Sequence, residues 1–242
     1  MLRALIAALL LASAATAQEP DCAGLAPYVY RIELRGPNVR GNGAMRFGGG
    51  FFLSADGEFL TAYHLFEESP QAIAASVAVD GGDSVFESPI LAITSYSRSL
   101  DYITGRVRLG GVRVRVPEIG ASVGIGDKVF GFTIQVPGPV GPHVRLTSRG
   151  GFRCAEGSVS AISPRQINAA GKDFFGPGSS GCPVFDAAGR VVSIALEMVT
   201  PNREALRPEY VYVSLPVSRA LRGRKLPRPL PLAEFLAKLR RP

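Results

Sequence analysis

A chain of 242 residues with 46% hydrophobic side chains can bury one large core or two small ones, which excludes an intrinsically disordered protein. A net charge of +7 excludes an acidic solvating chain, and three cysteines are too few for a disulfide-stapled miniature scaffold. With 28 glycines, 19 prolines and short runs of Val, Ile and Phe, the composition points to many strands and turns and away from a helical bundle.

Met1-Leu2-Arg3 is a short basic start, Ala4–Ala12 an unbroken apolar run, and Ala15-Thr16-Ala17 a small-x-small cleavage site. Residues 1–17 therefore read as a signal peptide cut before Gln18. The apolar run is too short to span a bilayer, and no other segment reads as transmembrane. The expectation is an exported protein, periplasmic or secreted, with no stable membrane insertion once the leader is gone. Cys22 follows Glu19-Pro20-Asp21 rather than small apolar residues, which argues against lipidation.

Beyond the leader, Tyr28–Leu34, Gly49–Leu53 and Glu58–Ala62 read as strands, the last two joined by a Ser54-Ala55-Asp56-Gly57 hairpin. Ala75–Val79, an Asp80-Gly81-Gly82-Asp83 turn, Pro89–Ile93 and Tyr102–Val107 complete a first half. Glu118–Asp127 reads as the entry to a second half, with strands at Lys128–Thr133, Val144–Thr147, Gly157–Ile162, Pro183–Asp186, Arg190–Leu196 and Tyr210–Leu215. No βαβ rhythm is present. The expected fold is all-β, with two small antiparallel barrels. Helix is expected only at the end. Val217–Leu221 makes one turn, and Leu232–Leu239 places Leu232, Phe235, Leu236 and Leu239 on one face for docking to the core. Pro227–Pro231 reads as stiff, extended chain.

Basic residues cluster between Arg219 and Arg241, so this tail is a candidate contact for an anionic surface, or a solvated face. No aromatic-interleaved basic motif for nucleic acid occurs. Of the three cysteines at most one pair can bridge. Cys22–Cys154 and Cys154–Cys182 are both open, and Cys182 is read as a small buried thiol, a structural bridge or a redox switch. No metal-ligand cluster and no phosphate-cradling loop is legible, so neither a metal nor another cofactor is expected.

Two histidines are present. His143 sits among Gly and Pro, whereas His64 ends the run Gly48-Gly49-Gly50-Phe51-Phe52-Leu53-Ser54, a turn, then Glu58-Phe59-Leu60-Thr61-Ala62-Tyr63-His64. This run resembles the start of the chymotrypsin-like (trypsin-like) serine proteases, above all the bacterial high-temperature-requirement and glutamyl-endopeptidase groups. Leu100-Asp101-Tyr102-Ile103 resembles the strand opening that carries the family's aspartate. Gly178-Ser179-Ser180-Gly181-Cys182-Pro183-Val184-Phe185 resembles its nucleophile turn, and Asp186–Ile194 the hairpin after it. The resemblance covers residues 45 to 216. It implies a chymotrypsin-like pair of six-stranded barrels, 18–117 carrying His64 and Asp101 and 118–216 carrying Ser180, followed by a helical, Pro-rich tail over 217–242. The residues after Pro216 leave no room for the peptide-binding (PDZ) domain that many high-temperature-requirement proteases carry.

The same resemblance implies roles. Ser180 is the nucleophile, His64 its base, Asp101 the group that orients His64, and the N–H groups of Gly178 and Ser180 the oxyanion hole. Phe174, six residues before Ser180, and Ala195 and Leu196 on the facing strand are the expected pocket residues, suiting an apolar or small side chain of a polypeptide substrate. Four positions depart from the family pattern. Tyr63 stands for a small residue, Thr104-Gly105 interrupts the apolar run after Asp101, Ser179 replaces Asn or Asp, and Cys182 replaces Gly or Ser. Asp80 and Asp83 are rivals to Asp101. An exported serine endopeptidase is the leading reading. The alternatives are an inactive homologue that binds protein or envelope components, and a thiol enzyme using Cys182.

Overall fold

The computed structural model describes residues 21–36, 46–69, 72–80, 85–134, 151–171, 174–176, 178–199, 211–223 and 226–240. The leader, His143, the Val144–Thr147 strand and Gly81–Asp83 lie outside them.

The first half forms strands β1 (Tyr30–Arg35), β2 (Arg46–Phe52), β3 (Glu58–Thr61), β4 (Ala74–Asp80), β5 (Val85–Ser97) and β6 (Tyr102–Val107). They pair antiparallel in the order β5-β4-β1-β2-β3-β6, and β5 returns to β6 to close a six-stranded barrel. Serving both neighbours is why β5 runs well past the Pro89–Ile93 legible in the sequence. Register shifts between Ile90 and Ala92 and between Ile93 and Ser95 mark where it bends.

The second half forms β7 (Lys128–Ile134), β8 (Phe152–Ile162), β9 (Ile167–Ala170), β10 (Pro183–Asp186), β11 (Val191–Val199) and β12 (Val211–Pro216), closed in the order β10-β11-β12-β9-β8-β7. The β10–β11 hairpin is built by Asp186, whose Oδ1 accepts from the N–H groups of Ala188 and Arg190, both at 2.9 Å, while Oδ2 accepts from Arg190 Nε at 2.9 Å. Each barrel therefore has six strands, as expected of a chymotrypsin-like fold.

The expectation of helix only at the end needs correction. Single-turn helices stand at α1 (Cys22–Leu25) and α2 (His64–Glu67), in addition to α3 (Val217–Leu221) and α4 (Leu232–Leu239). Four residues are too few to show a helical period. The N-terminus of α1 is capped by Asp21 Oδ1, which accepts from Gly24 N at 2.6 Å. The stiff Pro227–Pro231 segment also does more than space the chain. Leu230–Pro231 forms β13 and pairs with Ala92–Ile93 of β5, bringing α4 back onto the first barrel. None of these helices, among the described residues, is long and apolar enough to cross a membrane.

One core fills the first barrel around Ile32, Phe52, Phe59 and Val77, and a second fills the other around Val129, Phe174 and Tyr212. A third cluster joins them, with Phe51, Leu60 and Tyr102 from the first barrel against Phe130, Phe132 and Phe185 from the second. The halves are thus fused by fully buried apolar side chains. A disulfide adds a covalent tie. Cys22 is bridged to Cys154 across 132 residues, and Cys182 is left free. Replacing both partners (Cys22→Ser with Cys154→Ser) is expected to lower unfolding stability by about 2–4 kcal/mol, because the open chain regains loop entropy. Urea titrations of the double variant and of reduced wild type should show the same decrement. An unchanged midpoint would mean that the bridge is dispensable.

Candidate active site

His64 opens α2, three residues beyond the end of β3, and Asp101 closes the Arg98–Asp101 turn just before β6. The β3–β6 ladder sets Thr61 opposite Ile103, so the two side chains emerge at the same end of the barrel. Asp101 then holds His64 at two points. Its Oδ1 accepts from the backbone N–H of His64 at 2.8 Å, and its Oδ2 lies 2.7 Å from His64 Nδ1. A carboxylate can only accept, so the shared hydrogen belongs to Nδ1, which in the neutral ring leaves the lone pair on Nε2. Both side chains are about one quarter exposed, 24% for His64 and 27% for Asp101. Asp101 has φ +55°, the one non-glycine among the described residues in the left-handed region. Strain of this kind costs of order 1 kcal/mol and persists where surrounding bonds over-determine it, as the two bonds to His64 do here.

The turn carrying Ser180 is tied by its own backbone. Ser179 N–H donates to Gly176 O at 3.0 Å, and Cys182 N–H to Ser179 O at 2.8 Å. Ser179 Oγ also donates to Gly176 O, at 2.8 Å, and the residue is buried. That distinguishes the two adjacent serines, since Ser179 is spent on the turn and Ser180 is the partly exposed hydroxyl. Gly178 takes φ +95°. Among the described residues no backbone acceptor takes the Gly178 or Ser180 N–H.

Glycines bring this turn against the His64 side of the molecule. Gly49 N–H donates to Ser180 O at 2.7 Å. A Cβ at Gly48 would lie 2.8 Å from Ser180 O, and one at Gly49 only 2.1 Å from Cys182 Sγ. At Gly181 it would meet Thr61 Oγ1 at 2.3 Å and Gly49 O at 2.4 Å. Only backbone fits between the strands leading to His64 and the turn leading to Ser180.

The departures noted in the sequence have packing explanations. Tyr63 is buried, stacked on Tyr96 with centroids 6.0 Å apart and edge-on to Phe235 at 6.3 Å. Phe235 of α4 also packs edge-on to Phe66 at 5.8 Å and Tyr96 at 5.3 Å, so one aromatic cluster backs both the His64 turn and the strand leading to Asp101. The amphipathic period announced a docked helix, but nothing in the sequence said that it docks behind His64. Gly105 leaves room for the Phe59 ring, which a Cβ would approach to 2.8 Å, and Thr104 Oγ1 shares a hydrogen bond of 2.8 Å with Thr94 Oγ1.

Among the expected pocket residues, Phe174 is 1% exposed, stacked on Phe175 at 4.6 Å and edge-on to Tyr212 at 5.6 Å. Ala195 is buried in the same cluster, whereas Leu196 is half-buried and faces the other two cores.

Cys182 is fully buried beneath the turn, its thiol 3.8 Å from Gly178 O, and burial pushes its pKa up. A protonated, inaccessible thiol is neither a nucleophile nor a redox switch. Iodoacetamide is expected to leave Cys182 unmodified in the folded protein and to alkylate it once urea unfolds the chain. Rapid alkylation under native conditions, read by mass spectrometry, would contradict this burial.

The model of the trypsin-like peptidase domain family matches residues 48–194. No curated protein matches the chain. Among solved structures, a serine endoprotease from Yersinia pestis aligns with TM-score 0.61 at 18% identity, over 90% of this chain and 68% of that one. The structure of Deg5 aligns with TM-score 0.58 at 16% identity, over 81% of this chain and 87% of that one. At these identities the likeness is one of fold.

Proposed function

The chain belongs to the trypsin-like peptidase family, a family of serine endopeptidases, and on that premise we propose that it is an exported enzyme cleaving polypeptides through Ser180, His64 and Asp101. The observation that carries this reading is the two-point hold of Asp101 on His64, set beside a turn whose partly exposed residue is Ser180.

In this reading Ser180 Oγ attacks the substrate carbonyl carbon and its proton passes to His64 Nε2. Asp101 keeps the ring in the Nδ1–H tautomer and stabilises the imidazolium that forms. Negative charge develops on the former carbonyl oxygen, facing the Gly178 and Ser180 N–H groups. The C–N bond then breaks, His64 returns the proton to the departing amine, and an acyl ester remains on Ser180. Water, deprotonated by His64, attacks that ester; the acyl C–Oγ bond breaks, the acid departs, and His64 returns the proton to Ser180 Oγ. Every proton and electron pair is accounted for by these side chains, so the reaction calls for no cofactor.

The preference for a small or apolar side chain before the scissile bond rests on the half-buried Leu196 of β11, with Ala195 and Phe174 buried beside it in the second-barrel core rather than lining it. The leader-like residues 1–17 and the Cys22–Cys154 bridge support export to an oxidising compartment. The test is labelling by a fluorophosphonate probe of wild type, Ser180→Ala and His64→Ala. Labelling of wild type alone is expected. Absence of labelling in folded wild type, with or without reductant, would return the weight to a non-catalytic binding protein.

A further inference from the structure

Several of the basic side chains have partners within the protein. In the C-terminal tail Arg219 Nη1 donates to Pro164 O at 2.7 Å, Arg240 Nη2 to Ala72 O at 2.9 Å, and Arg228 faces Glu234 at 3.9 Å. Arg35, Arg46, Arg98, Lys128 and Arg190 each face a carboxylate as well.

The segment leaving the first barrel is different. It reads Arg106-Val107-Arg108-Leu109-Gly110-Gly111-Val112-Arg113-Val114-Arg115, and all four arginines are exposed. Among the described residues none of the four guanidinium groups forms an ion pair. Glu58 stands opposite Arg106 on the β3–β6 ladder, but its Oε1 accepts from Thr94 Oγ1 at 3.3 Å. The intervening residues turn inward. Val107 is buried, and Leu109, Val112 and Val114 pack against the first-barrel core. Alternation along extended chain therefore sets the arginines on the outer side of each arm.

The scaffold beneath them is fixed. Val112 N–H donates to Leu109 O at 3.0 Å across the Gly110-Gly111 turn, which folds one arm back toward the other. Arg115 N–H donates to Tyr30 Oη at 2.7 Å and its carbonyl accepts from the same hydroxyl at 3.3 Å, pinning the second arm. Within each arm the arginines are two residues apart, about 7 Å along the chain.

We propose that Arg106, Arg108, Arg113 and Arg115 form a binding strip for a linear phosphate polymer. The planar guanidinium fork matches phosphate oxygens two at a time, which a row of lysines would not do. The side chains between the arginines are aliphatic and turned inward, so the strip has no rings on which nucleic-acid bases could stack. A line of cations on two extended arms suits a chain-like ligand better than a flat bilayer. The strip begins ~17 Å along β6 from Asp101, so a bound polymer would hold the protein without covering the His64–Asp101 pair. This inference does not depend on the catalytic reading.

The test is titration of the full chain with long-chain inorganic polyphosphate at low and physiological salt. The variants are Arg106→Gln/Arg108→Gln/Arg113→Gln/Arg115→Gln, its Arg113→Gln/Arg115→Gln half, and a tail control, Arg222→Gln/Arg228→Gln/Lys238→Gln. The fourfold variant is expected to bind roughly tenfold or more weakly with a flatter salt dependence, since fewer counterions are released. The half variant should fall between it and wild type, and the tail control should bind as wild type does, all with matched melting curves. Unchanged affinity in the fourfold variant, or an equal loss in the tail control, would overturn the proposal. So would tighter binding to anionic phospholipid vesicles or to oligothymidine than to polyphosphate.

Discussion

Ser180→Ala is expected to lower peptide turnover by about 10⁶ while leaving the fold in place. What ties residue 180 to its surroundings is backbone: its carbonyl accepts from Gly49 N–H at 2.7 Å, and the flanking turn closes through Ser179, Gly176 and Cys182. Alanine keeps all of these. The lost hydroxyl is partly exposed, so no core cavity opens. Ser179 cannot substitute, because its hydroxyl already donates to Gly176 O in a buried position. Because the three side chains act as a unit, His64→Ala should cost about as much, and the double variant little more than either. Single-turnover rates and melting curves on the same preparations provide the check. A folded Ser180→Ala protein that kept a tenth of wild-type turnover would place the nucleophile elsewhere.

The parts of this fold that were legible in the sequence are those fixed by local chemistry. Strands β6 and β10 and helix α4 fall where short apolar runs between turns and a helical period put them. What was not legible depends on distant partners. β9 contains Asn168, Ala169 and Ala170, weak strand formers, and exists because β8 and β12 both bond to it. β5 reads as a short strand because its length comes from bending around the barrel to meet β4 and β6. At the site, His64 and Ser180 stood out by resemblance. The left-handed backbone of Asp101 depends on its two bonds to His64, 37 residues away, and the glycine contacts at Gly49 and Gly181 on the two barrels meeting, so no window of sequence contains both sides. The partners of the tail arginines were hidden for the same reason: charge is visible in sequence, but the carbonyls to which Arg219 and Arg240 donate are not.

Asp101→Asn is expected to cost about 10⁴ in kcat, by choosing the wrong tautomer rather than by unfolding the site. Position 101 accepts two hydrogens from His64, one from the backbone N–H at 2.8 Å and one from Nδ1 at 2.7 Å. Asparagine has one oxygen and one NH₂ to offer. The backbone N–H can only donate, so it keeps the oxygen, and the NH₂ is left facing Nδ1. Nδ1 must then accept, the ring hydrogen moves to Nε2, and His64 presents an N–H to Ser180 where a lone pair is needed. The backbone tolerates the change, because at φ +55° asparagine is as comfortable as aspartate. Alanine is not: it lacks the short polar side chain that eases Asp and Asn into this region, and it leaves the His64 backbone N–H without an acceptor. The expected pattern is therefore a split. The Asp101→Asn protein should melt near wild type yet turn over thousands of times more slowly, whereas the Asp101→Ala protein should be both slow and less stable. Measured kcat and melting temperature for the pair decide it. An asparagine variant within tenfold of wild-type kcat would show that the 2.7 Å bond holds the ring without governing which nitrogen carries its proton.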